Sequence, residues 1–157
     1  RSRNLNLETF AEVKSYALKM LATREHSSQE LKRKLSAKKI RKELIEAVLK
    51  QLTYEGAQDD RRYAEVYMRI RSMRGYGPVR IGQELKRRGV EKKIISDTIG
   101  NSNLDWSNLA NLVHLKKFKS LPETLSERSG QTRFLQYRGF TFEQIREALR
   151  GAFHENC

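Results

Sequence analysis

Cysteine is nearly absent from this sequence. The one example, Cys157, is the last of 157 residues, so no intramolecular disulfide and no cysteine-based metal site can form within one chain, and a reducing compartment is the expectation. Proline is scarce, at 2 residues, and glycine numbers only 9. With 38% apolar residues the chain has enough material for a core and too few breakers to be disordered. Long apolar runs are also missing. None approaches the roughly 18 to 20 residues that span a bilayer, and no charged-then-apolar leader opens the sequence, so the expected location is the cytoplasm, with no membrane partner. Acidic residues are outnumbered 19 to 32, for a net charge of +13. That excess attracts polyanions, whether nucleic acid, an acidic membrane or an acidic protein surface, and says nothing about fold. It leans toward the N-terminus: +7 over residues 1–53, +4 over 54–103 and +2 over 104–157.

Catalytic signatures are missing too. His26, His114 and His154 are scattered, without the paired spacing that puts two ligands on one helix face, so neither metal nor cofactor is expected. No phosphate-cradling glycine loop, nucleophile elbow or paired-carboxylate arrangement occurs. The expectation is a protein that binds and does not catalyse.

What the chain does contain is a repeat. At an offset of 50, Leu35, Leu85 and Leu135 align, followed by Ile40, Val90 and Phe140, then Ile45, Ile95 and Ile145, then Leu49, Ile99 and Leu149. At this apolar content a column of three is apolar by chance about one time in 18, so four such columns mark a true repeat. Within each copy the columns are interrupted near 39–41, 89–91 and 139–141, which predicts two short amphipathic helices joined by a tight corner. Gly89 and Gly139 end the first of these helices, where a left-handed residue is wanted. Lys39 takes that place in copy one, so its corner must close differently or at a cost. Ser27 with Glu30 and Thr141 with Gln144 form capping boxes, and Pro78 suits a first helical turn.

An earlier helix is marked by Tyr16–Ala17, Tyr63–Ala64 and Leu109–Ala110, at offsets of 47 and 46. The mismatch with 50 predicts a loop between first and second helices that lengthens from copy to copy. The expected fold is all-α: three tandem three-helix repeats, over 11–53, 54–103 and 104–153, forming an elongated or curved array stabilised by stacking.

Candidate binding residues are cations that the apolar columns leave on the surface. Lys32, Arg33 and Lys34 lie between core positions Leu31 and Leu35 and must face solvent, where Arg24, Lys38, Lys39, Arg41 and Lys42 extend the positive face. Lys38, Arg88 and Arg138 form a basic column at the repeat period, each placed in the last turn of a second helix. Such cations favour the helix dipole by roughly 0.3 to 1 kcal/mol, and they could equally form a row facing one partner. Arg69, Arg71, Arg74 and Arg80 bracket Gly75, Tyr76, Gly77 and Pro78. Arginine forks suit carboxylates and phosphates, and glycines allow close backbone approach. This loop, with Lys86, Arg87, Arg88 and Lys92 nearby, is the favoured contact surface. Tyr16, Tyr63 and Tyr67 could stack bases, but their register with the repeat assigns them to the core, as does that of Trp106, aligned with Val13. His114 aligns with Leu21 and Met68, an interior column. Tyr76 alone owes nothing to the apolar columns.

The second copy also carries a resemblance. "DDRRYAEVYMRIRSMRGYGPVRIGQELKRRGV", residues 59–90, resembles the signature of the RecX family: an acidic residue before Tyr-Ala, a basic stretch, Gly-Tyr-Gly-Pro, an Arg-Ile pair, Glu-Leu and Gly-Val. "ALKMLATREHSSQELKRKL", with Arg24, Ser28, Glu30, Leu31 and Leu35, and "RFLQYRGFTFEQIREAL" resemble that family's first and closing repeats. The third copy departs in "FKSLPETLSERSGQ" and in its less basic middle. The resemblance implies a monomeric negative regulator that binds the RecA filament on DNA, with weak non-specific affinity for DNA. It would oppose strand exchange and co-protease activity, and so modulate recombination, DNA repair and the SOS response. The competing reading is a direct nucleic-acid-binding protein with helix-turn-helix-like repeats.

Overall fold

A computed structural model of the chain describes residues 7–150. Cys157, His154 and the last three positions of the third expected repeat lie outside the described residues. Within them the chain is all helical: α1 (Phe10–Thr23), α2 (Ser28–Ser36), α3 (Lys42–Tyr54), α4 (Asp60–Met73), α5 (Pro78–Arg87), α6 (Lys92–Gly100), α7 (Trp106–Phe118), α8 (Leu125–Tyr137) and α9 (Phe142–Ala148). Every extensive helix–helix packing falls inside one of the triplets α1–α3, α4–α6 and α7–α9. The triplets meet one another through helix ends, corners and loops. The molecule is therefore an array of three small units.

Each unit has its own core, built on the columns of the repeat. Leu35, Leu85 and Leu135 are wholly buried, as are Ala17, Ala64 and Ala110 of the first helices. A fully buried leucine is worth about 1.5 to 3 kcal/mol, so these columns are the main adhesive of each unit. Ile95 and Ile99 are less buried than their counterparts, but they pack on the second core and lie 3.4 Å from where a side chain at Gly82 would start. Tyr16, Tyr63 and Tyr67 all pack in or against the cores. Trp106 packs against both the second and third cores, so it cements two units where the sequence suggested one.

Helix starts follow local chemistry. Both capping boxes form, at Ser27 with Glu30 and at Thr141 with Gln144. Thr9, Asp59, Asp105 and Thr124 cap four more helices with their side chains, and Pro78 opens α5. The corners between second and third helices close alike in all three units. Gly89 and Gly139 have φ of 81° and 98°, and Lys39 adopts φ 60°. Copy one thus closes the same way, with a lysine in a conformation that strains a β-carbon.

The offsets of 47 and 46 have only in part the origin expected: the loop from first to second helix lengthens in the third unit, to 119–124, but not in the second. The loop from first to second helix has the same length in the first two units, 24–27 and 74–77. In the second unit the additional residues lie in helix: α1 ends at Thr23, six positions past Ala17, whereas α4 ends at Met73, nine past Ala64. In the third unit α8 begins at Leu125, six positions before Gln131, whereas α2 begins three before Leu31. An insertion of three or four residues adds close to one helical turn and leaves the buried face in register, so helices absorb it without repacking.

Candidate interaction surface

The units are joined by a contact that recurs with the repeat. At the first joint the Ser27 hydroxyl, at the N-terminus of α2, donates to the Arg88 carbonyl at the C-terminus of α5, 2.7 Å. At the second, the Gly77 N–H, at the N-terminus of α5, donates to the Arg138 carbonyl at the C-terminus of α8, 2.8 Å, and the Val79 N–H donates to the Gly139 carbonyl, 2.9 Å. Residues 27 and 77 occupy equivalent positions, and so do 88 and 138. The second helices therefore follow one another N-terminus to C-terminus, an alignment that brings the positive end of one dipole against the negative end of the next.

These joints explain two glycines beyond their torsions. A β-carbon on Gly139 would overlap the Arg80 side chain and lie 2.7 Å from the Arg80 backbone nitrogen, and one on Gly89 would overlap the Gln29 side chain. Gly77 is equally constrained, since its β-carbon would lie 2.5 Å from the Gly139 carbonyl carbon and oxygen. Among the described residues no other unit packs on the corner at Lys39 as one does at Gly89 and Gly139, and a side chain is accommodated there.

Polar groups fasten the first joint further. The Ser28 N–H donates to Asp60 at 2.9 Å, and Gln58 donates to the His26 carbonyl and to Asp60. Arg62 pairs with Glu25. Glu30 pairs with Arg24 at 2.7 Å and faces the Tyr63 hydroxyl. Burial opposes ionisation of Glu30, but the hydrogen bonds from Arg24 and Tyr63 outweigh it and hold the carboxyl below its usual range. His26 is buried. Its Nδ1 lies 3.0 Å from the Arg24 carbonyl and its Nε2 lies 2.9 Å from the Lys34 ammonium. That arrangement selects a neutral ring which donates through Nδ1 and accepts at Nε2. Burial, with the charges of Arg24 and Lys34, lowers its pKa against the opposing pull of the Arg24 carbonyl and Glu30.

The second joint is built around Tyr76. Its ring carries the guanidinium of Arg71 at 3.9 Å, of Arg80 at 4.4 Å and of Arg138 at 5.0 Å. Arg71 is fixed by a two-pronged pair with Glu84, both bonds at 3.0 Å. Tyr76 is half-buried against the second core, so it belongs to the packing after all. The Gly-Tyr-Gly-Pro loop, favoured from sequence as a contact surface, is packed into the joint between units two and three.

The sequence-selected cations therefore separate into two groups. Arg24, Arg71, Arg80, Arg88 and Arg138 are engaged in or beside the joints, around Tyr76 at the second; Arg88 lies over Tyr67 at 4.7 Å and Arg138 over Phe134 at 5.3 Å. Lys32, Arg33, Lys38, Lys39, Arg69, Arg74, Lys86, Arg87 and Lys92 are exposed, and Lys34 is exposed apart from its bond to His26. The column of Lys38, Arg88 and Arg138 divides likewise. Arg88 and Arg138 are the C-caps of α5 and α8, and Lys38 lies beyond the Ala37 C-cap of α2, so none is within the last helical turn.

Beside each joint the same construction leaves a cleft. One, of about 630 Å³, is lined by Ser28, Gln29, Lys32, Arg33, Ser36 and Gly89. The other, of about 420 Å³, is lined by Val79, Arg80, Gln83, Arg87, Tyr137 and Gly139 among others. Residues 29 and 79, 33 and 83, and 89 and 139 correspond across the period, so the two clefts occupy the same place in successive units, although their charges differ in position and the second also holds Glu84. Each carries cations, Lys32 and Arg33 in the first and Arg80 and Arg87 in the second. Gln29, Gln83 and Tyr137 were not singled out from sequence, because each cleft gathers residues of two units.

Comparison with known families agrees with this build. The first, second and third three-helix domains of RecX match residues 14–52, 59–99 and 107–149. The chain belongs to the RecX family. The regulatory protein RecX of Pseudomonas entomophila is 41% identical over 146 residues, 92% of this chain and 94% of the relative. That of Halorhodospira halophila is 40% identical over 141 residues, 89% of this chain and 88% of the relative. Among solved structures, RecX from Lactobacillus salivarius superposes with a TM-score of 0.79 at 18% identity, over 91% of this chain and 96% of that one. It shares the fold.

Proposed function

We propose that the protein is a negative regulator of RecA, which binds the RecA filament on DNA and opposes strand exchange and co-protease activity. It acts in the cytoplasm as a monomer, by binding and not by catalysis, and so modulates recombination, DNA repair and the SOS response. Membership of a family of regulatory proteins supports the regulatory part. The observation that carries the filament is a cleft at the same place in successive units. A partner whose own surface repeats can fill both clefts at once, and two modest contacts then combine into avidity. The contact set we propose is Lys32, Arg33, Lys86 and Arg87 with Lys38, Lys39 and Lys92 as flanking charge. Arg69 and Arg74 lie farther along α4 and past its end, and Arg71, Tyr76, Arg80, Arg88 and Arg138 shape the joints on which the clefts depend.

The third helices argue against base reading. Their exposed positions mix both signs, Glu43 and Glu46 with Lys42 and Lys50 on α3, and Glu143 and Glu147 with Arg146 on α9, without the outward Arg, Asn and Gln pattern that reads base edges. The test is binding at about physiological salt to single-stranded DNA, duplex DNA, free RecA and preassembled RecA filaments. Salt-resistant preference for the filament is expected. Equal affinity for bare DNA or free RecA would overturn the filament reading, and sequence-specific duplex binding would establish the helix-turn-helix alternative.

A further inference from the structure

On a face whose lining residues, apart from those of the joint itself, are not shared with either cleft, α4 and α7 frame a groove of about 530 Å³. Its apolar lining includes Met73, Leu109, Leu112, Val113 and Phe134. Two of these side chains are strongly exposed, Met73 at 81% and Leu112 at 55%, although they come from different units. Large apolar side chains gathered in a concavity and left wet mark a surface that gains by being covered. α7 is apolar on its outer face as well as its inner one: Ala110 and His114 are buried, while Leu112 and Leu115 are exposed.

The charge around this groove has one sign. Arg74, Lys116, Lys117 and Arg138 line it, and no carboxylate does. General basicity does not account for this, because residues 104–157 have the smallest net charge of the three segments, +2. α7 itself, WSNLANLVHLKKF, contains no acidic residue. Lys117 extends over the Phe134 ring at 5.8 Å, and Arg138 donates to the Arg74 carbonyl at 3.4 Å, so neither cation is neutralised by a carboxylate.

We propose that this groove docks an acidic amphipathic peptide segment of a partner protein, whose apolar side chains cover Met73 and Leu112 while its carboxylates meet Arg74, Lys116 and Lys117. An apolar floor with a positive rim fits that chemistry better than a bare phosphate chain, which would leave the floor uncovered. The proposal stands independently of the filament reading, since the groove and the paired clefts use different cations.

The probe is a short helical peptide with leucines at i, i+3, i+4 and i+7 and glutamates elsewhere, added to the full-length protein at about physiological salt. Trp106, the one tryptophan, lies one helical turn before the groove residue Leu109, so its emission reports occupancy. Saturable binding is expected, weakened about tenfold or more by Leu112→Glu, less by Lys116→Gln, and unchanged by Lys32→Glu in the first cleft. Leu112 is exposed, so its variant should keep wild-type helicity by circular dichroism, and Met73→Glu provides a second variant. Four outcomes would overturn the proposal: no binding; equal binding of a peptide with alanine in place of leucine; displacement of the peptide by single-stranded DNA; or concentration-dependent self-association that Leu112→Glu abolishes, which would assign the groove to a second copy of the chain.

Discussion

Gly56, Gly75, Gly89 and Gly139 all hold positive φ, but they do not face the same demand. Gly56 has φ 78° with nothing within 4 Å of where its β-carbon would stand, whereas the β-carbon of Gly139 would run into the Arg80 backbone. Gly56→Ala should therefore cost only the left-handed penalty of about 1 to 2 kcal/mol. Gly139→Ala adds overlap against main chain and should cost about 3 kcal/mol or more. Urea unfolding of the two variants side by side measures the difference, and equal losses would show that the joint yields easily. A second contrast lies in the third core. His114 is wholly buried with its Nε2 against Gln131 and no partner at Nδ1. The equivalent positions are Leu21 with Leu31 and Met68 with Ile81, both apolar. Gln131→Leu alone strands the imidazole and should cost about 1 to 3 kcal/mol. Adding His114→Leu should restore most of that loss, so the two changes should be strongly non-additive in a double-mutant cycle.

Helix faces hold each unit together, and helix ends hold the units to one another. Ser27 accepts from the Glu30 N–H at 3.1 Å as the cap of α2 and donates to Arg88 across the joint. Thr141 caps α9 without such a second bond among the described residues. Thr141→Ala should cost about 1 kcal/mol, and Ser27→Ala about 2 kcal/mol, because a cross-unit hydrogen bond of about 1 kcal/mol goes with it; chemical denaturation compares them. His26 gives the same joint a pH response. Its folded pKa lies below the ordinary value of 6.5, so the unfolded chain takes up the proton first. The stabilisation is complete above about pH 6.5 and is lost as pH falls through the folded pKa. Denaturation midpoints measured downward from pH 7.5 should fall in the wild type and change less in His26→Gln. Caps and corners were legible in the sequence because each is a matter of three or four consecutive residues. The joints were not: Ser27 with Arg88 and Gly77 with Arg138 are 61 positions apart, while the repeat itself runs at 50. Hence Tyr76 looked like a free loop aromatic, although Arg138 and the second core enclose it.

At the scale of the molecule, periodicity exposed the array through buried columns such as Leu35, Leu85 and Leu135. The surface was only half legible. A charge run such as Lys32–Arg33–Lys34 shows that cations face solvent, but whether Arg71 or Arg87 remains available depends on Glu84, whose pairing with Arg71 is a tertiary fact. The clefts required both the period and the joint. They lead to a prediction that separates avidity from simple charge. Arg87→Glu alters the second cleft, and Lys32→Glu with Arg33→Glu alters the first, without removing a joint contact. If both clefts engage one repeating partner, either variant converts two-point binding to one-point binding. Affinity for the RecA filament should then fall by about 100-fold or more, while affinity for a short oligonucleotide, held by phosphate contacts alone, should fall only by the modest factor each lost cation contributes. The ratio of filament to oligonucleotide affinity should collapse in each variant separately. Titrations of both targets at matched ionic strength give that ratio directly. If it stayed constant while both affinities fell in parallel, the clefts would be parts of a general polyanion surface and their repetition would have no role in recognition.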